Sequence, residues 1–206
     1  MSVNNVNSAS SMEWEKIMIE NQKDTNYFAR LAQQLKDVAE EKLDSLELSL
    51  QKVIQQGNSI YVAGNGGSAA ISTHFVTDLI KIAIDTKKRI CAFDLTSNTA
   101  LLTCIGNDYG YGSVFESQLR SIAKKDDLFI AISSSGNSEN ILRALGTSDR
   151  LGVESWIIVG FSNSLALNTC SNAINLNVAV GEYGIAEDIS SAVCHNIVRR
   201  LRHNLE

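Results

Sequence analysis

The feature of this sequence that most constrains its fold is a series of short apolar segments that alternate with helical patterns. The five apolar segments are residues 59–63, 89–93, 128–132, 155–159 and 173–177. Helical patterns lie between and after them, at about residues 68–84, 97–106, 111–123, 138–150 and 185–204. Short apolar strands that alternate with helices indicate a parallel sheet covered on both faces. We therefore predict an α/β fold, a three-layer sandwich around a five-stranded parallel sheet.

The length of 206 residues suits one such domain with an addition at its N-terminus. Residues 1–11 are rich in Asn and Ser and are predicted to form a disordered tail, which leaves 12–206 as the single domain. An apolar stripe at three- and four-residue steps predicts one long helix over residues 13–56, ending at Gly57. This helix is expected to pack either against another subunit or on the core of its own chain.

Charge and composition exclude several functional classes. The net charge of −5 argues against a broad nucleic-acid surface. No apolar run reaches the ~18 residues of a membrane span, and the N-terminus lacks the basic and apolar regions of a secretory signal. The four cysteines form no C-x-x-C pair and are predicted to be buried free thiols in a reducing, cytoplasmic environment.

The first of two notable strand-to-helix loops is GNGGSA, residues 64–69. Its glycines would let the backbone approach a ligand at the start of the following helix. The string also satisfies G-x-G-x-x-A, a weak dinucleotide fingerprint that needs an acidic residue about twenty positions later, at the end of the next strand. Asp85 has the spacing but precedes that strand, whereas Asp94 ends the strand but lies thirty residues from Gly64. Besides a loop that binds another ligand and a dinucleotide site, a third interpretation is a tight glycine turn that binds no ligand.

The second loop is SSSGNS, residues 133–138, between an apolar strand and a helix. Four hydroxyl groups and a glycine at a helix N-terminus suit a phosphate, because hydroxyls and amides donate hydrogen bonds and the helix dipole favours an anion. The loop has no lysine of the kind that binds a nucleoside triphosphate, and no G-x-S-x-G elbow of a hydrolase occurs. The alternative is that Asn137 or Ser138 simply caps the helix.

Two of the predicted helices carry a polar cluster. His74 and Asp78 lie four positions apart and so project from one face. Glu187 and His195 lie eight positions apart on the last helix, which separates them by about 12 Å, so they can converge only on a point between them. Two imidazoles and two carboxylates suit zinc or a similar divalent ion, and equally suit acid–base chemistry. Each residue also has a purely structural interpretation, as a satisfied histidine, a solvated charge or a first-turn acid.

The motifs GNGGSAAISTHF, IGNDYG and SSSGNS, in this order and spacing, resemble the sugar isomerase (SIS) domain, and within it the phosphoheptose isomerase branch. The resemblance runs from about residue 25 to the C-terminus. It implies a flavodoxin-like five-stranded sandwich and a cytoplasmic homotetramer with sites between subunits. The implied activity is the conversion of sedoheptulose 7-phosphate to D-glycero-D-manno-heptose 7-phosphate.

The same resemblance implies roles for individual residues. In the family the serine-rich loop holds the phosphate, and the first loop lines the sugar. The implied substrate-binding residues are Asn65, Gly66, Ser68, Asn98, Ser133, Ser134, Ser135, Ser138 and Glu187. Asn98 is a departure, because the family commonly has Asp there. Gly184 and Ile185 stand where the family often has an acidic residue and an arginine.

The resemblance also implies that Asp78 is the catalytic base and His195 the opposing acid/base. His74, Asp78, Glu187 and His195 are the predicted ligands of a divalent metal, with zinc expected. Asp78 stands in place of the family Glu and is one methylene shorter, and Glu187 stands in place of Gln and adds a negative charge. Two rival functions remain open: a non-catalytic SIS protein that binds a phosphosugar or a protein partner, and an isomerase or epimerase of a different sugar phosphate.

Overall fold

The computed structural model of the chain describes residues 26–205. Its five strands form one sheet in the order β2-β1-β3-β4-β5, with every neighbouring pair parallel. The strands are β1 (Ser59–Gly64), β2 (Cys91–Asp94), β3 (Leu128–Ser133), β4 (Glu154–Phe161) and β5 (Ala173–Val178). The predicted α/β class and all five predicted strands are confirmed.

Helices cover both faces of this sheet. They are α1 (Tyr27–Lys36), α2 (Glu40–Gln56), α3 (Gly67–Thr86), α4 (Thr99–Tyr109), α5 (Glu116–Ile122), α6 (Glu139–Leu151), α7 (Ala166–Thr169) and α8 (Tyr183–Leu205). The pattern predicted over 111–123 is divided between a 3₁₀ turn, Tyr111–Ser113, and α5. The short helix α7 was not predicted, because four residues are too few to show a period. None of the helices within residues 26–205 is both long and apolar enough to span a bilayer.

Two apolar clusters fill the space on the two sides of the sheet. Alternate residues of a strand point to opposite faces, so Ile60 and Val62 of β1 join one cluster while Tyr61 and Ala63 join the other. The first cluster contains side chains of α2, α3 and α8, and the second contains side chains of α4, α5 and α6. Strand β3 is buried along its whole length, as expected of a central parallel strand.

The prediction of one long N-terminal helix is wrong. The described part of that segment is two helices, α1 and α2, which meet at residues 37–39, where Ala39 is extended with φ −69° and ψ 108°. Asp37 and Val38 are weak helix formers at this junction, and Glu40 and Glu41 then give α2 the first-turn acids that a new helix favours. The tail predicted at residues 1–11, and the predicted helix from 13 to 25, lie outside the described residues.

The two N-terminal helices pack differently. Six residues of α2 are buried, five of them in the first apolar cluster, whereas α1 buries none of its ten fully within the described part of the chain. Helix α2 therefore covers the core of its own chain, which was one of the two alternatives. Helix α1 is joined to the beginning of α8, where the Tyr27 hydroxyl donates to Asp188 at 2.6 Å and Arg30 pairs with Glu182 at 3.2 Å.

The strand order places the two notable loops side by side. After β1 the chain moves to β2 at one edge, and it then returns to β3 on the other side of β1 before continuing outward. Such a reversal leaves a crevice at the carboxyl ends of the two central strands, where ligands of open parallel sheets bind. Residues 64–69 and 133–138 both lie at this point, because they follow β1 and β3.

Candidate functional site

A cavity of about 320 Å³ opens where these two loops meet. Its lining residues are Asn65, Gly66, Gly67, Ser68, Ser133, Ser134, Ser135, Ser138, Tyr183 and Glu187. Eight of the nine predicted substrate-binding residues are thus brought together, from the ends of two strands and the first two turns of α8. The sequence analysis included Gly67 in the first loop without giving it a role, and it did not identify Tyr183. Tyr183 lies one turn before Glu187 on α8, and this spacing could have indicated it.

The serine-rich loop is held by its own hydroxyls. Ser133 Oγ accepts from the Gly136 amide at 3.0 Å, and Ser135 Oγ accepts from the Asn137 amide at 3.2 Å. Both hydroxyl protons therefore remain available to donate. Ser138 occupies the N-cap position of α6, yet within the described structure its side chain makes no capping hydrogen bond. The interpretation of Ser138 as simply a helix cap is not supported.

The loop requires glycine at position 136. Gly136 has φ +61°, and a Cβ there would overlap the hydroxyl of Ser164. The neighbouring Asn137 also serves the loop, because its Oδ1 accepts from the Leu165 amide at 2.7 Å rather than capping α6. The backbone of the serine-rich loop is thus fixed by contacts to the segment that follows β4.

Missing Cβ atoms also allow α8 to approach both loops. A Cβ on Gly160 would lie 2.8 Å from the Ala186 Cβ and 2.8 Å from the Ser134 carbonyl oxygen, so this glycine lets α8 and the serine-rich loop both pack closely against β4. On the other side, the carboxylate of Glu187 occupies the space that a Cβ on Gly67 would fill. Glu187 therefore lies directly against the first loop and faces the cavity.

Asn98 is the predicted substrate-binding residue that lies elsewhere. It is exposed at the N-cap of α4, where its Oδ1 accepts from the Leu101 amide at 3.0 Å. That geometry is the ordinary capping contact of an Asn that precedes a helix. Its assignment to the sugar therefore stays a prediction.

A second polar group lies further along the two helices that leave the cavity. Asp78 Oδ2 lies 3.6 Å from His74 Nε2 and 4.0 Å from His195 Nε2. The two imidazole rings meet edge-on, with centroids 4.9 Å apart and an angle of 74°. One potential ligand atom from each of these three residues lies within 4.8 Å of the others. Both histidines are about half exposed, so the group is open to solvent or substrate.

The structure brings together three of the four predicted metal ligands. Glu187 belongs to the cavity instead, two helical turns before His195 on α8, which corresponds to about 12 Å along the axis. Two imidazoles and one carboxylate fit a divalent ion such as zinc, with the remaining coordination position left open. The three-residue group therefore suits a catalytic metal better than a closed structural one.

The pKa values of two side chains near the site, Cys194 and Tyr27, are raised by their surroundings. Burial raises the pKa of the Cys194 thiol, and the nearby Asp78 charge adds to the effect, so this cysteine is an inert neutral thiol. Burial, the hydrogen bond to Asp188 and the nearby Glu182 and Glu187 charges raise the pKa of Tyr27 to about 12. The beginning of α8 is thus an acidic region, in which the neutral Tyr27 hydroxyl serves as a donor.

The cysteine prediction is confirmed in part. All four cysteines lie in the described part of the chain and are free thiols there. Cys170 and Cys194 are buried as predicted, but Cys104 is exposed and Cys91 is half-buried. Cys104 lies in α4, whose only buried residue is Ile105, so most of that helix faces outward.

The hydrogen bonds of Asp94 test whether the first loop could belong to a dinucleotide site. A dinucleotide site of this kind needs a free carboxylate at the end of the second strand. Here Asp94 Oδ2 accepts from the Thr73 hydroxyl at 2.6 Å, and Oδ1 accepts from the Thr96 amide at 2.8 Å. The carboxylate is thereby used to fix the loop after β2, which argues against the dinucleotide interpretation.

Comparisons with known proteins decide the family. The SIS domain model matches residues 25–159, about two thirds of the chain. The chain belongs to the SIS domain family. It is 37% identical over 142 residues to the phosphoheptose isomerase of Campylobacter concisus, covering 68% of this SIS domain chain and 73% of that relative. It is 32% identical over 169 residues to the phosphoheptose isomerase of Aliarcobacter butzleri, covering 82% and 88%.

Solved SIS structures have the same fold. The phosphoheptose isomerase of Francisella tularensis superposes with a TM-score of 0.78 at 22% identity, covering 94% of this chain and 99% of that one. The flavodoxin-like sandwich implied by the resemblance is confirmed by this likeness. The relatives place the chain in the phosphoheptose isomerase branch of the SIS family.

Proposed function

We propose that this SIS domain chain is an aldose–ketose isomerase that converts sedoheptulose 7-phosphate to D-glycero-D-manno-heptose 7-phosphate. The observation that carries the proposal is the juxtaposition of two sites on α3 and α8. One is the cavity with its serine loop, and the other is the group His74, Asp78 and His195. Both curated relatives described above are phosphoheptose isomerases.

The serine loop supports binding of the phosphate end of such a substrate. Ser135 and Ser138 line the cavity with hydroxyls that can donate, and the dipole of α6, which begins at Glu139, favours an anion at this end. Glu187, in contrast, is an acceptor at the opposite loop and suits sugar hydroxyl groups. This arrangement supports one extended phosphosugar whose anion lies at the serine loop.

The reaction moves protons between neighbouring atoms through an enediol. Asp78 removes the proton from C1 of the ketose while an acid donates to the O2 carbonyl, which gives the enediol. Return of a proton to C2 and loss of the proton from O1 then give the aldose. His195 lies 4.0 Å from the Asp78 carboxylate, which supports its role as the group that serves the two oxygens.

His74, Asp78 and His195 are also the residues that would hold a divalent metal, for which we propose zinc. Such an ion, when bound, would polarise the substrate carbonyl or hydroxyl groups. A carboxylate that binds a metal tightly is a weaker base, so Asp78 serves best when its second oxygen stays free for the substrate. Glu187 lies outside this group and contributes through its contact with the sugar.

The activity can be tested with purified protein and sedoheptulose 7-phosphate. We expect formation of the heptose 7-phosphate, a loss of activity after treatment with a chelator, and recovery on adding Zn²⁺. Ketose and aldose products are resolved by chromatography or NMR. If no conversion occurs with any divalent metal while the phosphosugar still binds, the chain is a non-catalytic SIS protein. Conversion of a different sugar phosphate would instead identify another isomerase or epimerase.

We also propose that the chain forms a homotetramer in the cytoplasm, as the resemblance to the family implies. The free thiols support a reducing compartment. Light scattering should give about four times the chain mass of 22.4 kDa. A mass of one or two chains at working concentration would contradict the tetramer.

A further inference from the structure

The two loops of the cavity are tied together by a pair of asparagine side chains. Asn65 belongs to the first loop, and Asn140 lies in the first turn of α6, just after the serine loop. The Nδ2 group of each residue donates to the Oδ1 of the other, and both distances are 2.9 Å. Asn140 is only 2% exposed, so its side of the pair is shielded from water, while Asn65 lines the cavity.

The orientation of this pair is fixed by neighbouring donors. The backbone amide of Ile141 donates to Asn140 Oδ1 at 3.0 Å, and an amide N–H can only donate. The Nδ2 group of Asn140 must therefore face Asn65, which fixes the Asn65 carboxamide in turn. A second donor to Asn65 Oδ1, the Tyr111 hydroxyl, lies 3.0 Å from it.

The hydrogen bonds that Asn65 already makes limit the contacts that it can offer a ligand. A carboxamide has two acceptor lone pairs and two N–H donors. Both lone pairs of Asn65 Oδ1 are taken, by Asn140 and Tyr111, and one N–H is used by Asn140. The remaining hydrogen-bonding capacity of Asn65, which lines the cavity, is a single N–H donor.

We propose that Asn140 is a positioning residue that makes Asn65 a donor-only contact, so that this corner of the cavity binds an acceptor oxygen of the sugar phosphate. The inference rests on the proposed function and adds a specificity to the same site. A ligand group that can only donate, such as an ammonium, is rejected there because Asn65 has no lone pair left for it. Asn140 determines this selectivity by orienting Asn65, without touching the ligand.

A double-mutant cycle tests the proposal, with the Kd for sedoheptulose 7-phosphate measured by calorimetry. Asn65→Ala and Asn140→Ala should each weaken binding about tenfold, the loss expected for a hydrogen bond to a charged or strongly polar oxygen. The double variant should bind no more weakly than Asn65→Ala, because Asn140 acts only through Asn65. In turnover, Asn140→Ala should raise KM and leave kcat within about twofold. An unchanged Kd, or fully additive losses, would overturn the proposal.

Further variants separate positioning from folding. Asn140→Leu keeps the size without adding a charge and removes the hydrogen bonds to Asn65, so it should weaken binding even if Asn140→Ala fails to fold. Tyr111→Phe frees one Asn65 lone pair without moving the pair and should have a smaller effect. Asn168→Ala, on the exposed side of α7, is the matched control and should bind normally.

A wrong proposed function gives a different experimental result from a wrong positioning role of Asn140. If the unaltered protein does not bind sedoheptulose 7-phosphate, the function is wrong, and the asparagine pair is then tested by NMR. The side-chain NH₂ signals of Asn65 should shift, and exchange faster with solvent, in Asn140→Leu. Unchanged signals would overturn the positioning role independently of any substrate.

Discussion

Replacing His195 with Ala should reduce turnover of sedoheptulose 7-phosphate by about 10²–10⁴-fold, the usual contribution of a general acid or base. His195 Nε2 lies 4.0 Å from the Asp78 carboxylate, and its side chain is 52% exposed. Because the side chain is not part of the core, the free energy of unfolding should change by no more than about 0.5 kcal/mol. The measurements are kcat, KM and denaturant unfolding.

His203→Ala is the matched control for this experiment. His203 lies on the same helix, two turns beyond His195, and is exposed. The control should retain full turnover and the same stability. Unchanged turnover in His195→Ala, with a normal control, would remove His195 from the mechanism, whereas an equal loss in both variants would point to a defect in α8.

The double variant Ser135→Ala/Ser138→Ala should weaken phosphosugar binding by about 100-fold or more. Each hydroxyl is expected to contribute ~1.5–3 kcal/mol when it donates to a charged phosphate oxygen. The Ser138 change is the cleaner one, because the hydroxyl makes no capping bond in the described structure, whereas Ser135 also accepts from Asn137 within the loop. Calorimetric titration with the sugar phosphate and with inorganic phosphate measures the loss.

A serine outside the cavity provides the comparison. Ser121→Ala removes an exposed hydroxyl that donates only to the Ser117 carbonyl within α5, and its affinity for both ligands should be unchanged. If the double variant still binds inorganic phosphate normally, the loop does not hold the anion. A loss for the sugar phosphate alone would place these serines at the sugar instead.

The sheet was predictable because its strands are nearly continuous apolar runs. Strands buried on both faces leave that signature in any sequence, and Leu128–Ser133 is the clearest example. Both site loops were predictable for a related reason, since glycines and serines directly follow such strands. The break near Asp37 was not, because the apolar three- and four-residue pattern continues through it while the backbone does not.

Contacts between distant parts of the chain account for what the sequence did not reveal. Glu187 lies against Gly67 rather than beside His74, Asp78 and His195, and its position depends on a missing Cβ 120 positions away. The Asn65–Asn140 pair joins residues 75 positions apart. The position of Asn98 could not be anticipated either, because a residue before a helix serves equally as a cap or as a ligand contact.

The last helix, α8, fixes the distance between Glu187 and His195. Helix α8 carries both Glu187, at the cavity, and His195, beside Asp78, about 12 Å apart along its axis. Under the proposed function, the number of residues between them, rather than the shape of a flexible loop, sets the length of sugar that can contact both. A single inserted residue would turn His195 by about 100° away from Asp78. This stretch of chain should accordingly tolerate changes of residue type far better than changes of length.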